Sequence, residues 1–139
     1  VMAYIDDVGG ISAMRHARMP VVTASTDSVD FLSPIRMDQS ICLESFVTWT
    51  STTSMEVFVK VVGEDLMSGE RTVCATSFLT FVAIDGHGRP QPVPGVIPEN
   101  DLEKKLHASA PDRAAHRRDR RMRSKRLAQE FGSTKPWEK

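Results

Sequence analysis

VMAYIDDVGGISAMRHAR, Val1 to Arg18, is the stretch whose reading decides the fold. Met2, Ile5, Val8, Gly9, Ser12 and Arg15 or His16 recur at helical spacing, and Ala3, Tyr4, Gly10, Ile11, Ala13 and Met14 fill much of the remaining circumference. A helix this apolar is expected to be wrapped by other structure. Gly9 and Gly10 each cost it about 1 kcal/mol of propensity relative to Ala. The pair therefore predicts a neighbour packed so closely that a side chain would not fit. Arg15, His16 and Arg18 suit the last turn, where cations meet the negative end of the dipole, and Pro20 stops the helix.

The same helix carries two adjacent carboxylates, Asp6 and Asp7. They point about 100° apart, so they cannot share one environment: one is expected to be solvated or paired and the other to point inward. Burying an unpaired carboxylate costs several kcal/mol, so an acid kept in an apolar helix has either a partner or a use. A plain salt bridge, or a charge near the positive end of the helix, accounts for the pair equally well.

Moving outward, 139 residues with 40% apolar and 26% charged side chains describe one ordinary globular domain. No apolar run approaches the roughly 20 residues a bilayer requires, and no secretory signal precedes the helix, so the expected place is the cytoplasm with no membrane insertion. Because Val1 already lies inside a helical pattern, the chain is expected to be part of a longer product. Cys42 and Cys74 lie on predicted strands without CxxC spacing, and His16, His87, His107 and His116 are scattered. Two buried free thiols and no metal site are the expectation.

The zero net charge hides an asymmetry. Arg113 to Arg126 holds eight basic residues against one acid, Asp119, a balance of +7, whereas residues 1 to 112 hold eight against fifteen acids, a balance of −7. An acidic body thus carries a basic arm.

After Pro20, VVTASTDSVDFLSPI (Val21 to Ile35) alternates and is rich in β-branched residues, with Val21, Thr23, Ser25, Asp27, Val29 and Phe31 on one face, and reads as a strand that Pro34 ends. Ile41 to Thr50 and Met55 to Val62 read as two strands of an antiparallel hairpin around the hydroxyl-rich Ser51 to Ser54. Arg71 to Ile84 is the longest strand, apolar on both faces around Phe78 to Phe81, and so belongs in the middle of a sheet. Pro90 to Pro98 crosses the surface extended. A helix is predicted from Glu99 to about Ala108, and Pro111 restarts a second, charged one over Asp112 to Phe131. One apolar helix, four antiparallel strands and charged helices make an α+β domain in which the sheet must curve around the helix.

Four ordered blocks, MAYIDDVGGISAMRHAR (Met2 to Arg18), VVTASTDSVDFLSPI (Val21 to Ile35), TSMEVFVKV (Thr53 to Val61) and SFLTFVAID (Ser77 to Asp85), resemble the hotdog-fold acyl-CoA thioesterases of the acyl-CoA hydrolase branch. VPGVIPENDLEKK (Val93 to Lys105) and APDRAAHRRDRRMRSKR (Ala110 to Arg126) resemble the tail of Gram-positive bacterial members. The resemblance implies a curved antiparallel sheet wrapped around one long central helix, paired into a dimer or a trimer of dimers. It implies a hotdog domain over residues 1 to 98 and a charged helical extension over 99 to 139. It also implies hydrolysis of fatty acyl-CoA to free CoA and a carboxylic acid by a helix Asp at the dimer interface, and this position falls on Asp6. Family sequences precede this helix with a strand carrying an Asn and a glycine pair, so a segment before Val1 is expected.

A thioester is already activated, so catalysis needs a placed water, a proton acceptor and donors for the oxyanion. Asp6 would serve as general base or as nucleophile. The N–H groups at the helix start would hold the oxyanion. Ser25 and Thr26 could add a hydroxyl from the partner subunit, or be plain strand residues. Thr53 and Ser54, at the hairpin turn, could meet the CoA moiety, as could Arg113 and Arg117 through bidentate phosphate contacts. The arm fits subunit assembly better still. Nucleic acid is not an expected partner, because no aromatic residue interleaves the cations. No cofactor is expected, CoA being part of the substrate. The competing expectation is a non-catalytic hotdog that binds acyl-CoA or a nucleotide, or serves as a structural subunit.

Overall fold

The computed structural model describes residues 1–132; the end of the predicted extension, 133 to 139, lies outside the described residues. The elements follow in the order α1 (Met2–Ala17), β1 (Val21–Phe31), β2 (Gln39–Thr50), β3 (Ser54–Asp65), β4 (Arg71–Ala83) and α2 (Asp101–Phe131). The strands form one antiparallel sheet in the order β1-β4-β3-β2. β2 and β3 are the predicted hairpin, and β4, the longest strand, lies between β3 and β1. Chain neighbours β1 and β2 form the two opposite edges.

Alternation divides the sheet into two faces. Met55, Val57, Val59 and Val61 of β3 and Ala75, Leu79, Phe81 and Ala83 of β4 form the core with Ile5, Ala13 and Ala17 of α1. The predicted close approach is at Gly9, where a Cβ would stand 3.2 Å from Phe81 Cε2 and 3.3 Å from Cζ. At Gly10 the nearest ring atom would be 3.6 Å away, an ordinary contact. The sheet reaches only one side of α1. Tyr4, Ile11 and Met14 are exposed, at 65, 48 and 45%, so the expectation that the whole helix is wrapped holds for its Ile5–Gly9–Ala13 face alone. Four strands of one copy do not extend around the other side.

Three further expectations are corrected. β1 stops at Phe31, short of the predicted end at Pro34, because the N–H groups of Leu32 and Ser33 both turn to the carbonyl of Cys74, at 2.8 and 3.2 Å. Cys74 is buried but Cys42 is exposed, since it lies on the edge strand. The two predicted charged helices are one, α2, with Pro111 inside it. A proline has no N–H for the carbonyl four residues back. Here that carbonyl belongs to His107, and the chain divides into two compact units, Val1–His107 and the residues from Ala108, at this point.

Candidate functional site

Asp6 lies in the second turn of α1, half-buried, with one oxygen bonded across to β1: Thr23 Oγ1 donates to Oδ1 at 2.8 Å. Oδ2 has no hydrogen-bond partner among the described residues. Asp7, one residue on, is exposed and has none at all. The two acids thus separate as their 100° offset requires. Thr23 faces α1 because it pairs with Phe81, whose ring is under the helix, and side chains directly opposite in a ladder share a face.

A polar clasp holds the same helix from the other edge of the sheet. Ser45 of β2 donates to the carbonyl of Val8 at 3.1 Å, and Ser12 Oγ stands 2.5 Å from Ser45 Oγ. Ser45 has one proton and gives it to the carbonyl, so Ser12 is the donor in the hydroxyl pair. Further along, His16 Nε2 bonds the carbonyl of Pro94 at 2.7 Å, tying the proline-rich crossing to the last turn of α1. Gly9 and Gly10 give the helix a smooth underside over Phe81. The polar contacts at Asp6, Val8, Ser12 and His16 add to the packing of Ile5, Ala13 and Ala17 in holding α1 against the sheet.

The expected strand hydroxyls part company. Bulges between Thr23 and Ser25 and between Thr26 and Ser28 break the alternation of β1. Ser25 pairs with Thr80, on the face away from α1, and hydrogen-bonds Asp27. Thr26 pairs with Leu79, on the same face as Thr23, and is exposed. Thr53 and Ser54 lie at the hairpin turn. Their carbonyls accept from Ala83 N at 3.2 Å and Ser51 N at 2.9 Å, while their hydroxyls make no hydrogen bond among the described residues. Met55, the next residue, is in line with Thr23 across β4 (Met55↔Phe81↔Thr23), so the turn is two strand spacings, about 10 Å, from Thr23. Arg113 and Arg117 belong to the unit beginning at Ala108, where Arg113 Nη1 donates to Ser109 Oγ at 2.5 Å.

Three polar features were not anticipated from the sequence. In the sequence Thr23 is one position of an alternating face; its tie to Asp6 depends on which strand lies beside α1. A row of acids and hydroxyls crosses the face away from α1: Thr48 Oγ1 stands 2.7 Å from Glu56 Oε1, and Thr80 Oγ1 donates to Asp27 Oδ2 at 2.7 Å. Glu56 is 1% exposed within a run otherwise made of core residues. At the far end of the sheet, a cavity of about 270 Å³ is lined by Arg36, Gln39, Asp65, Glu70 and Thr72. Backbone N–H groups of Ser68 and Met67, at 3.0 and 2.9 Å, hold the Asp65 carboxyl below its ordinary 3.8.

The chemistry within reach of Asp6 is that of a single carboxylate with one oxygen held and the other open. Such a group can orient a water and take its proton, or attack an acyl carbon. Residues 1–70 match the thioesterase superfamily. The chain is 58% identical over 137 residues to the uncharacterized acyl-CoA thioester hydrolase YkhA of Bacillus subtilis, covering 99% of this chain and 80% of that protein. Among solved structures, an acyl-CoA hydrolase of Staphylococcus aureus, in complex with butyryl-CoA, CoA and CoA disulfide, superposes with a TM-score of 0.89 at 45% identity. That match covers 94% of this chain and 79% of that one. An apo-hexameric acyl-CoA thioesterase gives 0.83 at 50% identity, covering 86% of this chain and 76% of that one.

Proposed function

The chain belongs to the thioesterase superfamily, and from this we propose that it hydrolyses the thioester of fatty acyl-CoA to free CoA and a carboxylic acid, with Asp6 as the reacting carboxylate. The observation that carries the assignment to Asp6 is its hydrogen bond with Thr23, which fixes one carboxylate oxygen and leaves Oδ2 open. Held in this way, Oδ2 takes a proton from water as the oxygen adds to the acyl carbon, or adds itself to give a mixed anhydride that water then cleaves. Either route expels CoA as its thiolate. N–H groups in the first turn of α1, at the positive end of the dipole, hold the oxyanion.

Thr26, on the face of Thr23, is the better placed of the two strand hydroxyls to assist from a partner subunit; Ser25 is engaged with Asp27. Thr53, Ser54, Arg113 and Arg117 are the proposed contacts to the CoA moiety. Assembly into a dimer or a trimer of dimers is part of the same proposal. It is supported by the exposed Tyr4, Ile11 and Met14 on α1, by two open sheet edges, and by the hexameric relative. No helix among the described residues is long and apolar enough to cross a membrane, and the proposed place of action is the cytoplasm.

Thiol release from a panel of acyl-CoAs tests the proposal. The expected result is hydrolysis that Asp6→Asn lowers by about 100-fold or more, the scale of a lost general base, with Asp7→Asn within a few-fold of the parent. If no thiol appears with any acyl-CoA that binds, the protein is a binding module. If Asp7→Asn abolishes hydrolysis while Asp6→Asn spares it, the assignment of the carboxylate fails.

A further inference from the structure

The charges of α2 compensate one another on one side of the helix and not on the other. Asp119 has Arg123 four residues on, and Arg126 has Glu130, spacings that place opposite charges side by side. Arg118, Arg121 and Lys125 stand at i, i+3 and i+7, about 10 Å from end to end. All three are exposed, and none has an Asp or Glu three or four residues away in either direction. Like charges at these spacings repel and weaken their own helix. Such a stripe is open to a counter-charge on another surface.

The acidic body offers one. Its ion pairs include Arg36 with Asp38 and Asp65, and Lys60 with Glu44. Asp7, Asp30 and Glu70 are exposed and belong to none of them. We infer that Arg118, Arg121 and Lys125 form a docking stripe for the acidic body of a second copy of this chain. Charge complementarity selects that partner. Two parts of −7 and +7 on one chain of zero net charge let copies attract region to region without repelling as wholes. A nucleic-acid partner would favour a net positive chain with aromatic residues among the cations, whereas the pI is 7.1 and Arg113 to Arg126 contains no Phe, Tyr or Trp.

Sedimentation velocity of the parent, R118E/R121E/K125E and R118Q/R121Q/K125Q, at about 50 mM and about 500 mM salt, tests this, because contacts between exposed charges weaken as the Debye length shrinks. The expected result is a parent assembly that loosens with salt and a Glu variant at least tenfold weaker in one association step at low salt. The Gln variant should fall between the two, with unchanged far-UV circular dichroism in both variants. Equal assembly of all three proteins at both salt concentrations overturns the inference. So does unchanged assembly accompanied by a raised KM for acyl-CoA, or by lost binding of a fluorescent DNA duplex, since the stripe would then serve CoA phosphates or nucleic acid. Assembly is read without reference to hydrolysis, so failure here is distinguishable from failure of the proposed activity.

Discussion

At the scale of single residues, the polar contacts carry the testable content. Thr23 acts on Asp6 through one hydrogen bond, and a bond to a charged group contributes about 1.5–3 kcal/mol. Thr23→Ala should therefore lower kcat by about 10- to 100-fold with little change in KM, and Thr23→Ser should restore most of it; steady-state kinetics with one acyl-CoA decides. The Thr48–Glu56 pair is a stability device. Thr48→Val removes a donor from a carboxylate that is 1% exposed and should cost about 1–3 kcal/mol in urea denaturation, with hydrolysis per folded molecule unchanged. Asp65 gives the pH dependence. Its folded pKa lies below the unfolded one because Ser68 and Met67 N–H groups favour the charged form. Its contribution is present above the unfolded value, near 3.8, and is lost as the pH falls through the lower folded value. The Tm difference between parent and Asp65→Asn should therefore be constant above about pH 5 and vanish in stronger acid.

At the scale of elements, the two glycines of α1 separate propensity from packing. Gly10→Ala adds a Cβ at an ordinary 3.6 Å from Phe81 and should stabilise the protein by up to about 1 kcal/mol, the helix preference for Ala. Gly9→Ala gains the same preference but presses on a buried ring at 3.2 Å, and overpacking costs about 1–3 kcal/mol, so its net effect should be zero or destabilising. Thermal denaturation of the two variants side by side checks the contrast. The same pair shows how far an element can be read from sequence. Adjacent glycines in an apolar helix announce a close neighbour, but Phe81 could be named only once β4 was known to lie beneath α1. The bulges of β1 were illegible for the same reason: VVTASTDSVD alternates well enough to place Thr23, Ser25 and Asp27 on one face, and only pairing with β4 turns Ser25 and Asp27 away.

At the scale of the whole molecule, β4 and β3 are flanked on both sides and the edges are not, so hydrogen exchange should be slowest in β3 and β4 and much faster in α2 beyond Arg117. The sequence by itself determined the α+β class, the helix followed by four strands, the hairpin of β2 and β3, the centrality of β4 and the family, because these rest on local periodicity and on ordered blocks of residues. The acid pair in α1 was legible too, since two carboxylates in so apolar a helix stand out by chemistry alone. Only the tertiary structure decided that β1 pairs with β4, that Thr23 holds Asp6, that Ser45 and Ser12 clasp the helix at Val8, and that Glu56 is buried. Each of these joins residues distant along the chain, and alternation within a strand says which side chains share a face but not which strand lies next to it.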